Sequence, residues 1–164
     1  MAQTGTYILL LHLPVNKIAR LGNLGRFDLP AGFYTYVEGA FGPGGLATQL
    51  KHHLSPPRTP TRHIDYLRRE TNLEEIWLAA GPISREHHWA DLLPAIPGGA
   101  VLVEGFGTQH CTCDSHLVYF DLRPTLEDFK VDAGRQFPDD IILRAFARSK
   151  AHDNAPPQPH RRTA

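Results

Sequence analysis

The pattern of apolar residues predicts three strands in the first half of the chain. Gly5–Leu13 is rich in apolar and β-favouring residues and stops before Pro14, so it is typical of a largely buried strand. Residues 33–37 are aromatic and β-branched and follow the turn residues 30–32. Residues 73–80 form a third strand-like run. We expect the first two strands to pair antiparallel.

Helical periodicity appears between these strands and again after them. The predicted helices cover residues 46–54, 63–70, 85–93 and 139–149. The first follows a glycine-rich turn and places Leu46, Leu50 and Leu54 on one face. The last groups Ile142 and Phe146 on one side of an amphipathic segment.

The remaining segments divide the chain into one domain and two appendages. Residues 101–103 and Leu117–Phe120 predict short strands on either side of the loop 105–116. We expect a domain over residues 5–120 and a C-terminal extension over residues 121–150. Residues 151–164 are rich in Pro, His and Arg with almost nothing to bury, which predicts a disordered tail.

Composition restricts the classes of partner and compartment. The chain has 164 residues, of which 41% are hydrophobic, and this suits one core. Seventeen basic residues balance seventeen acidic ones, so a polyanion site must be local. The longest apolar run is far below the ~20 residues of a membrane span, and Cys111 and Cys113 are too close for an ordinary disulfide. We expect a cytoplasmic protein without membrane contact.

Several motifs in order resemble the GIY-YIG nuclease superfamily. They are Gly5-Thr6-Tyr7 on the first strand, Tyr36-Val37-Glu38-Gly39 on the second, and the glycine-rich turn into the first helix. Blocks at residues 62–67, 85–90 and 105–120 are similar to the branch called domain of unknown function 123. The resemblance implies an α/β (α+β) domain with a small, mainly antiparallel three-stranded central sheet flanked by helices and extra C-terminal elements.

The same resemblance implies an activity and its residues. GIY-YIG nucleases cleave phosphodiester bonds with one divalent metal, here Mg²⁺ or Mn²⁺, so the implied partner is nucleic acid, with DNA favoured. Members of this branch that are attached to DNA glycosylases imply a repair context. Tyr7 and Tyr36 match the motif tyrosines, and Glu86 matches the metal-binding glutamate. A carboxylate with several waters suits a hard cation of this kind.

One position departs from the motif. Gln49 stands where the superfamily presents an arginine, and a neutral amide lacks the charge and paired donors of a guanidinium. We therefore expect weak catalysis unless another cation takes over; His52 and His53 are the candidates, and His53 is the predicted catalytic one. Lys51, His52 and His63 are the candidate contacts to substrate.

Plainer interpretations of these residues remain open. Tyr7 and Tyr36 fit ordinary core tyrosines, and Glu86 fits a first-turn carboxylate that complements the helix dipole. Glu38, in place of a motif glycine, is either an obstacle to a phosphate backbone or a metal ligand. Five basic residues against two acidic ones in residues 51–70 form either a phosphate track or a solvated face. The rival function is an inactive domain that binds nucleic acid or protein.

The loop 105–116 contains residue types that bind zinc. His110, Cys111, Cys113 and His116 are suitable ligands, but Cys-x-Cys is not the usual spacing. Four ligands within seven residues would wrap one ion without a second structural element. We therefore expect a loop packed on the core rather than a zinc site.

Overall fold

The computed structural model of the chain describes residues 2–148 and has an α+β fold. Among these residues every strand pairing is antiparallel. The strands are β1 (Gly5–Leu13), β2 (Lys17–Arg20), β3 (Arg26–Leu29), β4 (Gly32–Ala40), β5 (Asn72–Ala80), β6 (Gly99–Ala100), β7 (Leu117–Phe120) and β8 (Leu143–Ala147). The α-helices are α1 (Gly45–Leu54), α2 (His63–Arg68), α3 (Glu86–Leu92) and α4 (Leu126–Gln136).

The main sheet has six strands in the order β6-β7-β4-β1-β5-β8, where the resemblance implied three. The three expected strands lie together as β4-β1-β5 in its middle, and β1 pairs with β4 as predicted. The outer edges of β4 and β5 would otherwise leave unpaired backbone groups, and β7 and β8 pair with them. The sheet is therefore wider than the resemblance implied.

Strand β1 is buried on both faces, which explains its nearly continuous apolar sequence. Alternate residues point to opposite sides, so Tyr7 and Leu9 join one hydrophobic cluster while Ile8 and Leu10 join the other. The first cluster lies under α1 and α2, and the second contains residues of α3 and α4. The candidate tyrosines belong to the first cluster.

Two glycines bring the chain from β4 into α1. Gly44 and Gly45 have φ values of +84° and +57°, which favour glycine. A Cβ at Gly45 would lie 2.2 Å from the carbonyl oxygen of Gln3, so the helix begins in close contact with the N-terminal segment. The structure confirms the predicted glycine-rich turn.

The predicted helix over residues 139–149 is wrong. Residues 143–147 form β8, which pairs with β5. A register shift beside Ile76 lets Ile142 pack into one cluster while Phe146 packs against the other, whereas a helix would have placed both on one face. The open edge of β5 provides tertiary pairing that the local sequence does not reveal.

Three further elements differ from the sequence-based expectation. The predicted loop after Pro14 contains the two-stranded β2–β3 sheet, and helix α4 was not predicted. The short strand expected at residues 101–103 lies two residues earlier, as β6. The predicted tail, residues 151–164, lies outside the described residues.

Within residues 2–148, none of the helices has the length and apolar character needed to cross a bilayer.

Candidate active site

Tyr7, Glu38, His53 and Arg62 form a set of contacts that we call the buried polar network. Tyr7 and Glu38 lie directly opposite each other in the pairing of β1 with β4, so their side chains share a face. The Tyr7 hydroxyl donates to Glu38 Oε2 at 2.5 Å and lies 2.7 Å from His53 Nε2. Because the single hydroxyl proton goes to Glu38, we assign His53 Nε2–H as the donor to Tyr7.

Burial sets the protonation states of this network. Burial, reinforced by the nearby Glu38 carboxylate, raises the pKa of Tyr7 well above its ordinary value. Burial also lowers the pKa of His53, although Glu38 opposes that shift. Burial opposes ionisation of Glu38, but His53, Arg62 and the Tyr7 hydroxyl together hold the pKa of Glu38 below its ordinary value. At neutral pH the phenol is protonated, the imidazole neutral and the carboxylate charged.

Arg62 brings a guanidinium to the position where Gln49 lacks one. Its Nη1 donates to Glu38 Oε1 at 2.8 Å and lies 3.5 Å from Gln49 Oε1. The backbone N–H of Arg62 donates to buried Asp65, which fixes the start of α2. The cation therefore comes from the residue preceding α2 rather than from α1.

The charged end of this network borders a cavity of about 340 Å³. The cavity lies between β4, the start of α2, the start of α3 and the loop before β7. Its lining residues are Tyr36, Glu38, Gly39, Arg62, His63, Glu86, His87, Gly107, Gln109, His110, Cys111 and His116. Tyr7 is fully buried, and its hydroxyl is bonded to Glu38, which does line the cavity.

Tyr36 and Glu86 both reach the cavity. Burial and then the Glu38 charge raise the pKa of Tyr36 well above its ordinary value, so its hydroxyl stays protonated. Glu86 begins α3, and its Oε1 lies 3.3 Å from His116 Nδ1. A Cβ added at Gly39 would lie 3.0 Å from Glu86 Oε2, so this glycine leaves room for the carboxylate.

His63 lines the cavity but both of its ring nitrogens are engaged. The backbone N–H of Gly107 donates to Nδ1 at 3.0 Å, so Nε2 carries the proton and donates to Asn23 Oδ1 at 2.7 Å. Burial lowers the pKa of His63, in agreement with a neutral ring. His63 thus joins the loop before β7 to the segment between β2 and β3.

Two of the predicted substrate contacts lie away from the cavity wall. Lys51 is exposed on α1, and His52 Nε2 lies 2.7 Å from Asp65 Oδ1, linking α1 to α2. The predicted apolar face of α1 is only partly correct, because Leu54 is 51% exposed while His53 is buried. The helix therefore turns His53 toward Tyr7.

The basic stretch over residues 51–70 does not act as one surface. Arg68 is buried and donates to the carbonyl oxygens of Thr71 and His53, both at 3.0 Å. Arg62 faces the cavity, so the two arginines have different environments despite their proximity in sequence. Arg62 lines the cavity but was not among the candidate site residues predicted from the sequence. A signal for it was present, because Arg62 opens a block that carries the family resemblance.

A second group of polar side chains lies beside Glu86. His87, Cys111, Cys113 and His116 place one nitrogen or sulfur atom each within 4.8 Å of one another. We call this group the His/Cys cluster. His110, a candidate ligand from the loop sequence, is exposed and lies outside this cluster, whereas His87 of α3 belongs to it. Burial and the Cys111 thiol raise the pKa of Cys113 to about 12.

His116 connects the cluster to Glu86. Its Nε2 lies 3.4 Å from Cys111 Sγ, on the side opposite the Glu86 contact. Burial opposes its protonation, but Glu86 raises the pKa of His116 above its ordinary value. The 3.3 Å contact to Glu86 lacks hydrogen-bond alignment, so His116 Nδ1 is a buried nitrogen without a hydrogen-bond partner among residues 2–148.

Comparison with known proteins identifies a family but no characterised relative. No curated protein matches the chain, and no solved structure matches it either. The family model described as domain of unknown function DUF123 matches residues 6–138, which extend from the second residue of β1 past the end of α4 and include every residue of the cavity wall. The chain therefore belongs to the family described as domain of unknown function DUF123.

Proposed function

We propose that this protein is a metal-dependent nuclease of the GIY-YIG type that hydrolyses phosphodiester bonds in DNA. One observation carries the proposal: Arg62, Tyr36 and Glu86 line one cavity of about 340 Å³. A guanidinium binds phosphate, and a carboxylate binds a hard cation. The central order β4-β1-β5 and the glycine-rich entry to α1 support the superfamily assignment.

Arg62 takes the role that the superfamily arginine would have. Its tip contacts both Gln49 and Glu38, so it occupies the neighbourhood that an arginine at position 49 would occupy. Its side chain is 35% exposed and faces the cavity, which leaves donors for a phosphate oxygen. Arg62, and not His53, therefore compensates for the arginine that is absent at position 49, because burial lowers the pKa of His53 and keeps its ring neutral.

The two tyrosines act as hydrogen-bond donors and not as bases in this proposal. Raised pKa values keep both hydroxyls protonated at neutral pH. Tyr36 lines the cavity and donates to phosphate or water, whereas Tyr7 holds Glu38, which in turn holds Arg62. Tyr7 is thus a positioning residue.

The residues fit a single hard cation at Glu86. This carboxylate borders a cavity with room for several waters, which matches the preference of Mg²⁺ and Mn²⁺ for one or two carboxylates and water. When bound, such a cation screens the charge that develops on the phosphate. In the overall reaction a water oxygen bonds to phosphorus, the bond to one sugar oxygen breaks, and that oxygen takes up a proton.

A cleavage assay tests the proposal. Purified protein would be incubated with Mg²⁺ or Mn²⁺ and labelled single-stranded, double-stranded, flap and branched DNA, with RNA in parallel. We expect metal-dependent cleavage that falls on the order of 10²–10³-fold in Glu86→Gln, because a key charge interaction is lost. Glu127→Gln is the matched control, since Glu127 is exposed on α4 and lies outside the cavity wall.

Two outcomes contradict the proposal. Equal cleavage by wild-type protein and Glu86→Gln would assign the activity to a contaminant or another site. Salt-dependent binding of DNA without cleavage in either metal would favour the rival function, a binding domain without catalysis.

A further inference from the structure

The His/Cys cluster has the chemistry of a transition-metal site. It combines two imidazoles and two thiols, His87, Cys111, Cys113 and His116, whose ligand atoms all lie within 4.8 Å of one another. Nitrogen and sulfur ligands of this kind favour zinc over magnesium or calcium. The proposed nuclease site, by contrast, is built from oxygen ligands and a guanidinium.

The spacing of the ligand atoms is close to that of a tetrahedral site. Zinc–sulfur and zinc–nitrogen bonds of ~2.3 and ~2.05 Å place a sulfur and a nitrogen ligand roughly 3.6 Å apart. Cys111 Sγ and His116 Nε2 are 3.4 Å apart. The other pairs lie no more than 4.8 Å apart, so side-chain movements of at most about 1 Å reach ligand separations of this size.

The second ring nitrogen of His116 provides an independent indication. His116 is 2% exposed, and its Nδ1 has no aligned hydrogen bond within the described residues but lies 3.3 Å from Glu86 Oε1. Histidines that bind zinc commonly present one nitrogen to the metal and the other to a carboxylate, which fixes the ring orientation. His116 is oriented in this way, with Nε2 toward Cys111 and Nδ1 toward Glu86.

We propose that His87, Cys111, Cys113 and His116 bind one Zn²⁺ ion and that Glu86 orients His116 for this purpose. The sequence alone argued against zinc because four ligands in one short loop would lack a second structural element. Helix α3 supplies that element through His87, and His110 is not needed. Glu86 takes part in both proposals, but zinc binding by these four ligands requires neither nucleic acid nor cleavage.

The expected role of this zinc is to fasten the loop before β7 to α3. That loop carries Gly107, whose N–H holds His63, and His116, which contacts Glu86. Zinc that binds the folded chain more tightly than the unfolded chain raises stability by mass action. Removal of zinc would therefore loosen the cavity wall formed by this loop.

Zinc binding can be measured directly on the full-length chain. The protein would be stripped with a chelator under reducing conditions and titrated with ZnCl₂ against a chromophoric chelator. We expect one zinc per chain and a higher melting temperature when zinc is bound. Titration with Co²⁺ in place of zinc should give the intense visible absorption of a tetrahedral thiolate site, a readout that needs no variant.

Variants identify the ligands. Cys113→Ser and His87→Ala should each lower zinc affinity by roughly 100-fold or more, while Glu86→Gln should lower it roughly 10- to 100-fold by releasing the His116 ring. His110→Ala is the matched control and should leave zinc affinity unchanged, because His110 lies outside the cluster. Circular dichroism confirms that each variant is folded.

The proposal is overturned by substoichiometric zinc in wild-type protein, or by a Co²⁺ spectrum without thiolate bands. It is also overturned if His110→Ala weakens binding as much as His87→Ala does. These measurements contain no nucleic acid, so their failure leaves the nuclease proposal standing, and the failure of cleavage leaves the zinc site standing.

Discussion

The buried polar network and the His/Cys cluster lie beside the same cavity but are held in different ways. In the network, Tyr7 and Glu38 come from paired central strands and are joined by hydrogen bonds. In the cluster, all four residues come from the loop before β7 or from the start of α3, and the buried nitrogen of His116 lacks a hydrogen-bond partner among residues 2–148. Each region contains one buried ring nitrogen without a hydrogen-bond partner among residues 2–148, His53 Nδ1 in the network and His116 Nδ1 in the cluster, and the regions differ in the elements that hold them.

This difference indicates how each region keeps its geometry. Network members on paired strands keep their separation because neighbouring strands fix it. The cluster joins a loop to the start of a helix, and the proposed zinc ion would hold its two thiols and two imidazoles together.

The largest expected effect, on the rate of DNA cleavage, comes from removing the Arg62 guanidinium and supplying one at position 49. Arg62→Gln should reduce DNA cleavage on the order of 10²–10³-fold, because a preorganised donor to the phosphate is lost. Adding Gln49→Arg to this variant should restore much of the rate, since the two side chains contact each other. Single-turnover cleavage of the best DNA substrate in Mg²⁺ measures both changes.

Gln49→Arg alone provides the control for this exchange. With Arg62 present, a second guanidinium adds repulsion and no new function, so we expect no increase in rate. A tenfold or greater increase in the cleavage rate of Gln49→Arg would show that Arg62 does not take the place of the superfamily arginine.

An intermediate effect on stability is expected from Tyr7→Phe. The substitution leaves Glu38 Oε2 and His53 Nε2 without their shared partner, which costs about 1–3 kcal/mol of unfolding free energy. Urea denaturation measures the change. Tyr66→Phe is the control, because the half-buried Tyr66 makes no side-chain hydrogen bond within the described residues. An equal loss of unfolding free energy in Tyr66→Phe would mean that the hydrogen bonds of Tyr7 add no stability.

A smaller difference in stability is expected between alanine substitutions at two glycines in the loop before β7. Gly107 and Gly105 both have positive φ, at +72° and +77°, so alanine costs about 1 kcal/mol at either position. At Gly107 the new Cβ would also lie 3.2 Å from Tyr36 and 3.3 Å from His116, whereas at Gly105 its nearest neighbour is at 3.6 Å. Gly107→Ala should therefore be less stable by about a further 1 kcal/mol.

Thermal or urea unfolding of the two alanine variants tests this difference. Equal stabilities would mean that the loop adjusts around position 107 without disturbing the cavity wall. Zinc affinity should follow the same order, because Gly107 packs against His116.

Local sequence was sufficient to predict the strands and helices whose own residues show an apolar pattern and turn residues at their ends. Strands β1, β4 and β5 have apolar runs with turn residues at their ends, and α1 follows a glycine-rich turn, so each was predicted. Helix α4 was missed although Thr125 caps it by accepting a hydrogen bond from the backbone of Asp128. That spacing, a threonine followed three residues later by an acid, was a readable signal.

Other features depend on contacts between distant segments. Strand β8 exists because β5 offers an open edge, and no pattern within residues 139–149 contains that information. The positions of Arg62 and His87 at the cavity likewise could not be predicted from local sequence, because they depend on how the starts of α2 and α3 lie relative to β4. The structure places Tyr36 and Glu86, which the motif order singled out, at one cavity, and the motif order did not indicate that Arg62 lines it as well.

Position 39 has a consequence for how the cavity could be altered. Its backbone is not in the left-handed region, so chain geometry would accept any residue there. An added Cβ would lie 3.0 Å from Glu86 Oε2 and 3.1 Å from the Phe41 ring, so even an alanine would press on both side chains. The absence of a side chain at residue 39 therefore preserves the position of Glu86 at the cavity wall.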